Sequence, residues 1–247
     1  MADDALVAAR ENGLTRLTLN RPQKANALSA ALVEALLEAV ERAAADGTRV
    51  LVVEGAGPHF CAGFDFTDYA RASDGDLALR FIRIETLLQA IYHSPCETIA
   101  VAHGRVFGAG ADIVGSCSRR IAAPDAAFLM PGLRFGVVLG TRRFAARVGD
   151  DVARDVLAAS RSFDAQEALR IGFLTQVAPR DEWTDLVASA RVQSEKLAPA
   201  ASAALREATL QDTRSEDMAA LARSVSAPGL KERIRAFREP EARKPAP

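Results

Sequence analysis

Two glycine-punctuated stretches hold the residue types and spacing that could do chemistry. The first, Phe60-Cys61-Ala62-Gly63-Phe64-Asp65, follows the apolar run Arg49–Glu54. The second, His103-Gly104-Arg105-Val106-Phe107-Gly108-Ala109-Gly110-Ala111-Asp112, follows the β-branched segment Thr98–Ala102. Small residues let a backbone approach a ligand closely. A helix opening near Gly108 presents unpaired N–H groups and partial positive charge, which suits a developing oxyanion. One N–H from each stretch could hold the same oxygen, and Asp112 then stands about one helical turn further on. The plain alternative for Gly-Ala-Gly is close packing of a helix on a strand, and for Asp112 it is a carboxylate near a helix start that stabilises the dipole.

The other candidates have plain readings too. His103 ends a strand and reads as a core histidine, and His59 beside the first stretch reads as exposed. Glu85, among Phe81, Ile84 and Leu88, lies mid-helix where it either meets solvent or reaches a pocket beside the two stretches. Arg134, Arg142 and Arg143 are dense enough to hold an acidic group or to pair with Asp112, although a solvated face is the default. Cys61 and Cys117 read as small buried residues.

The elements that must position these groups are legible. Asn12-Gly13 is a hairpin turn between a strand near Ala5–Arg10 and a second over Leu14–Asn20. Ser29 caps a helix with Leu32, Leu36, Val40 and Ala43 on one face. Arg49–Glu54 predicts a buried strand, about 76–93 a helix closed by Ser94-Pro95, and about 108–118 a helix after the second stretch. Short strands at Arg120–Ala122 and Ala127–Met130 precede helices at Thr141–Val148 and Asp151–Ala159. Asp164 with Glu167 forms an acidic capping box. Beyond about residue 181 the chain is Ala-, Glu- and Arg-rich and all-helical, and Pro240–Pro247 predicts a frayed tail.

Composition narrows the class. Acids and bases nearly cancel, 32 against 31, for a formal charge of −1 over 247 residues. No basic excess serves a nucleic-acid backbone. Three cysteines (Cys61, Cys96 and Cys117) at no metal-like spacing and three histidines argue against a disulfide framework or a metal site. The acidic start lacks the basic segment of a secretory signal, and no apolar run of about eighteen residues occurs. A cytoplasmic protein without membrane or nucleic-acid partner is expected.

The ordered blocks carry a resemblance. Asn20-Arg-Pro-Gln-Lys-Ala-Asn-Ala-Leu-Ser29 resembles the N-terminal signature of the crotonase (enoyl-CoA hydratase/isomerase) superfamily. Phe60–Asp65 resembles its first oxyanion loop, Gly104–Asp112 its second, Asp164–Val177 its late helix–strand unit, and Lys231–Pro245 its C-terminal helix and basic tail. The resemblance implies an α/β fold with a ββα spiral core over 1–180 that holds an acyl-CoA site. It also implies an all-helical trimerisation region over 181–247, and a homotrimer or homohexamer. It places the oxyanion donors at the backbone N–H groups of Phe64 and Ala109. Coenzyme A, entering as part of the substrate with no separate cofactor, would lie against Lys24, Ala25, the Phe64-Asp65-Phe66 backbone and the Gly108–Gly110 turn. The basic group Lys231, Arg233, Arg235, Arg238, Arg243 and Lys244 would face its phosphate.

Departures from the family pattern are informative. Ala109 replaces a usual glycine, which narrows the pocket but keeps the N–H. No serine stands between Gly104 and Gly115, so the Clp-type protease branch of the fold is set aside. Hydratases of the family use two carboxylates. The first position matches Asp112, one methylene shorter than the family glutamate; the second falls on Gly132. One acid leaves open a double-bond shift, enolate protonation or decarboxylation, and disfavours hydration. The rivals are a decarboxylase or C–C lyase, for which the arginines are the clue, and a CoA-binding pseudoenzyme. Glu85, His103 and Arg134 are the candidates to replace the missing acid.

Overall fold

The computed structural model describes residues 5–242. A hairpin opens it: β1 (Leu6–Glu11) pairs antiparallel with β2 (Leu14–Leu19), through Asn12 and Gly13 at φ 49° and 75°. Two positive φ values match the right-handed twist of the strands, which explains Asn-Gly there. In β2 alternate residues are buried, and Leu17 and Leu19 face the core. Helix α1 (Ala30–Ala45) starts where the Ser29 hydroxyl accepts from Leu32 N and buries Leu32, Leu36, Val40 and Ala43, the stripe expected from the 3.6-residue period.

Next come β3 (Val50–Gly55), α2 (Asp74–Tyr92), β4 (Glu97–Ala102), β5 (Arg105–Phe107) and α3 (Ala109–Ser116). They are followed by β6 (Arg119–Ala122), β7 (Ala127–Leu129), α4 (Thr141–Val148), α5 (Asp150–Ala159), β8 (Phe163–Asp164), α6 (Ala165–Arg170) and β9 (Gln176–Val177). A six-stranded sheet runs β1-β2-β3-β4-β6-β9, parallel after the first hairpin, and a three-stranded sheet runs β5-β7-β8. The units β4-β5-α3 and β6-β7-α4 each give their first strand to the large sheet and their second to the small one. The β3 unit does the same with a single residue, because Cys61 makes a parallel bridge to Val106. This repeated step between sheets stacks the units side by side and brings the segment after β3 against the segment after β4.

Strand β5 corrects the reading of His103–Asp112 as one continuous loop. Three residues between glycines give no periodic signal, and the strand exists through its pairing with β7 and Cys61. Four helices close the chain: α7 (Trp183–Ser194), α8 (Pro199–Thr209), α9 (Arg214–Ser226) and α10 (Leu230–Ala242). Leu221, Val225, Leu230 and Ile234 from the last two are buried in the same apolar cluster as the sheet. Helix α10 continues through Pro240 to Ala242, against the fraying expected from Pro240, and the rest of that segment lies outside the described residues. Arg243 and Lys244 lie outside the described residues. Among the described residues no helix is long and apolar enough to cross a membrane, and no group of three metal-ligating side chains occurs.

Candidate active site

The two chemical stretches lie side by side because their backbones are paired. Phe60 N donates to His103 O (2.9 Å), Cys61 N to Arg105 O (3.2 Å) and Phe107 N to Cys61 O (2.9 Å). The approach requires missing side chains. A Cβ on Gly110 would lie 2.5 Å from Cys61 O, and one on Gly63 would lie 2.6 Å from Phe107 O and 3.2 Å from Ala109 N. Gly63, just before Phe64, is thereby packed on the first nitrogen of α3.

Phe64 bridges Leu28 in a short parallel pairing whose bonds run Leu28 N to Gly63 O (2.8 Å) and Asp65 N to Leu28 O (3.2 Å). That pattern leaves the Phe64 N–H outside the ladder. Ala109 is the first residue of α3 after Gly108, so its N–H precedes the helical bonding as well. Both residues, with Asp112 and Gly132, line one cavity of about 770 Å³. Its remaining walls are mostly apolar, including Phe66, Phe81, Met130, Phe135 and Phe237, with Arg105, Thr141 and Arg238 as the polar exceptions. Phe64 is fixed by stacking on Phe81 (ring centroids 4.4 Å) and by the Arg80 guanidinium 4.1 Å above its ring.

Asp112 is only 6% exposed, and its Oδ1 is buried without a hydrogen-bond partner. Burial pushes its carboxyl well above the ordinary value of 3.8; the Arg143 charge opposes this and the Glu85 charge adds to it. The group is therefore held toward its neutral, proton-carrying form. Gly140 makes the space: it adopts φ 64°, and a Cβ there would lie 1.9 Å from Oδ1. Gly132 lines the same cavity with no side chain, where a Cβ would meet Val137 O at 3.0 Å.

The remaining candidates are placed elsewhere. Glu85, 1% exposed, is not solvated; it receives both Arg143 Nη1 (2.9 Å) and Nη2 (2.5 Å). Arg143 also donates to Asp217 Oδ2 (3.0 Å), to which Arg142 pairs at 3.3 Å. Arg143 thus pairs with Glu85 and Asp217 rather than with Asp112. Burial pulls its pKa down, but the Glu85 and Asp217 carboxylates outweigh this and raise it. His103 is a buried histidine with Nε2 2.9 Å from Gly57 O, and burial lowers its pKa. His59 Nδ1 accepts from Arg105 N at 3.2 Å. Arg134 is exposed, 5.5 Å from the Phe237 ring. Burial pushes the Cys61 and Cys117 thiols up to about 12, which leaves them unreactive.

Of the residues expected along coenzyme A, Lys24 is exposed at the end of a 3-10 turn over Pro22–Lys24. Ala25 is left-handed (φ 47°) and its carbonyl accepts from Ala62 N (2.9 Å), tying it to the first loop. Asp65 uses its side chain internally: Oδ2 pairs with Arg21 (2.8 Å) and Oδ1 accepts from Thr67 N and Oγ1. Phe66 and Gly108 line the cavity, whereas Gly110 is buried against Cys61. From the basic cluster, Lys231 and Arg233 bond Ala72 O and Phe135 O, and Arg238 lines the cavity. Asn26 was not singled out from sequence. It is fully buried, and its side chain joins Arg21 N to Ala56 O and His59 O, so it clasps the first loop. Its place six residues after Asn20 in the signature block was the available signal.

Comparison with known proteins decides the family. The enoyl-CoA hydratase/isomerase family model matches residues 9–232. The chain belongs to that family. It is an enzyme of the hydratase/isomerase type with the crotonase fold. A Mycobacterium leprae protein named a probable enoyl-CoA hydratase is 35% identical over 172 residues, covering 67% of this chain and 68% of the relative. A Mycobacterium bovis protein of the same name is 33% identical, with 65% of each covered. The matched stretch thus spans about two thirds of these relatives. A crystal structure from Bordetella parapertussis, described as an enoyl-CoA hydratase/isomerase, superposes with a TM-score of 0.94 at 48% identity, covering 98% of this chain and 99% of the other. An enoyl-CoA hydratase structure from Mycobacterium smegmatis gives 0.77 at 28%, with 99% of each covered. Among the described residues, Asp112 is the one carboxylate lining the cavity, and its Oδ1 is buried without a partner.

Proposed function

We propose that this family member binds acyl-CoA thioesters and moves a proton on a thioester enolate, with Asp112 as its single acid/base. The Phe64 and Ala109 N–H groups hold the thioester oxygen as it gains charge. The carrying observation is the Asp112 carboxyl: buried at the cavity wall, unpaired at Oδ1, raised in pKa and one turn from Ala109 N. The ionised form of Asp112, a strong base because its pKa is raised, takes the α proton to give the enolate. The neutral carboxyl this leaves delivers the proton to the α or γ carbon. Double-bond isomerisation follows from that exchange without a second acid. Hydration needs a separate group to activate water, and Gly132 supplies none.

A decarboxylase or C–C lyase reading is favoured by one feature. Arg105 lines the mostly apolar cavity and suits an acidic acyl group, whose cleavage would leave an enolate for Asp112 to protonate. Coenzyme A enters only as part of the substrate. Lys24, Ala25, Asp65, Phe66 and Gly108 form its track, with Gly110 packing the helix start on the first loop and Lys24 and Arg238 as the cations for its phosphates. The enzyme works in the cytoplasm as a trimer or a dimer of trimers, for which exposed Val192 and Leu197 supply apolar contact. Incubation with 3-enoyl-, crotonyl- and malonyl-type CoA esters in D2O tests the reading. Deuterium entry with isomerisation faster than hydration is expected. Efficient hydration of crotonyl-CoA, on the order of 10 s⁻¹ or more, would refute the single-acid mechanism.

A further inference from the structure

At the C-terminal end of α3, three guanidinium groups converge on the turn Cys117-Ser118. Arg120 donates to Cys117 O (3.1 Å) and Ser118 O (2.9 Å), Arg147 to Cys117 O (3.4 Å) and Gly115 O (3.2 Å), and Arg206 to Ser118 Oγ (2.5 Å). Among the described residues none of the three has a carboxylate within 4 Å. This contrasts with Arg143, whose charge is met twice. The nearby Glu97 is engaged by Arg119. Arg120 spends its donors on carbonyls, including Phe173 O. Arg206 does not, and its Nε is buried with no partner.

Arg147 and Arg206 line a separate cavity of about 320 Å³ between α3, α4 and α8. Its other walls include Tyr92, Ser116, Ser118, Ser202 and Thr209; the Ser116 and Thr209 hydroxyls donate to Asp112 O and Leu205 O, which leaves those of Tyr92, Ser118 and Ser202. Burial pushes Arg120 down to about 10, with Arg147 adding repulsion, and burial also lowers Arg147 and Arg206. Uncompensated cations are crowded beside neutral hydrogen-bond donors, and the hollow between them is larger than a tetrahedral oxyanion. That combination recognises phosphate: two guanidiniums for charge-assisted bonds and several hydroxyls for the remaining oxygens.

We propose that this cavity is a binding site for a small phosphate-bearing anion, distinct from the acyl-CoA cavity. Arg147 and Arg206 are its charged contacts, and Ser118 and Ser202 are hydroxyl contacts. It is independent of the reaction assigned above.

The test uses the full chain with inorganic phosphate as probe, read by calorimetry and by the melting temperature, against chloride at equal ionic strength. Phosphate should raise the melting temperature saturably while chloride does not. Arg206→Gln should weaken binding at least about tenfold, with Arg206→Lys intermediate. Ser202→Glu, which places a carboxylate in the hollow, should abolish binding. It starts from a half-exposed hydroxyl, so the fold should survive, as checked by circular dichroism. Arg105→Gln, at the acyl-CoA cavity, should leave phosphate binding unchanged. A shift no larger than that of chloride overturns the proposal, including the case where a second copy of the chain closes the hollow. A shift retained by Arg206→Gln and Ser202→Glu, or lost in Arg105→Gln, assigns the anion elsewhere and overturns it as well.

Discussion

Replacing Asp112 by asparagine keeps the shape of the side chain and removes both its proton and its potential charge. Asp112 is buried, its Oδ1 has no donor, and its pKa is displaced well above 3.8 by burial. If it carries the proton, turnover falls about 10²–10⁴-fold, with little change in CoA-ester affinity. Deuterium exchange at the acyl carbon falls with it. Stability must move the other way. In the unfolded chain the aspartate ionises near 3.8, whereas in the folded chain it holds its proton to higher pH. Between those two values the native state binds more protons, so this group's contribution to stability is complete below about 3.8 and is lost as pH rises through the folded pKa. Each unit of elevation is worth about 1.4 kcal/mol. Asp112→Asn should therefore match the parent near pH 4 and become the more stable of the two at pH 8, in urea titrations at several pH values. An asparagine variant that loses stability relative to the parent as pH rises would refute the assignment of a raised pKa. Undiminished exchange would remove Asp112 from the chemistry.

Further outcomes are expected from the same geometry. Ala109→Pro deletes the first N–H of α3 at a position where proline fits a helix start; turnover should fall by roughly 10²–10³-fold, about 2.7–4 kcal/mol, while circular dichroism stays unchanged. Gly140→Ala forces a Cβ at φ 64° into Asp112 Oδ1; it should destabilise the fold by about 1–2 kcal/mol from the backbone alone and lower turnover by displacing the carboxyl, read by denaturation and steady-state kinetics. Glu85→Ala leaves Arg143, 3% exposed, with Asp217 as its remaining buried carboxylate; chemical denaturation should show a loss of about 3–5 kcal/mol, and an Arg143→Met, Glu85→Leu double variant should recover much of it.

Much of the fold was legible because its elements announce themselves locally. Asn12-Gly13 requires the turn it makes, Ser29 caps the helix it precedes, and the Ser94-Pro95 step ends α2 as expected. What escaped was set by long-range pairing. Strand β5 has three residues and no pattern of its own; it is a strand because Cys61, more than forty positions earlier, and β7 lie on either side of it. The candidate site divides the same way. The two loops and Asp112 could be picked out by type and spacing, and the cavity does gather them. The partner of Glu85 could not, since Arg143 lies 58 positions away. A mid-helix glutamate between apolar neighbours looks the same in sequence whether it meets water or a buried guanidinium.

The buried ion network behind Asp112 bears on why one acid is left in the cavity. Glu85, Arg143 and Asp217 join α2, α4 and α9, with two carboxylates on one guanidinium. Arg142 supplies the second cation from a half-exposed position. Both Arg143 Nη atoms bond Glu85 or Asp217, and its Nε is left without a partner; its pull on Asp112 is countered by Glu85, and burial decides the outcome. Had Arg143 turned to Asp112 instead, a tight pair would have held that carboxyl ionised and unable to give a proton. Gly140, at the start of α4 three residues before Arg143, gives the unpaired carboxyl room and no donor. The charges of Glu85, Arg143 and Asp217 go into joining the helices, and burial holds the Asp112 carboxyl toward its neutral form.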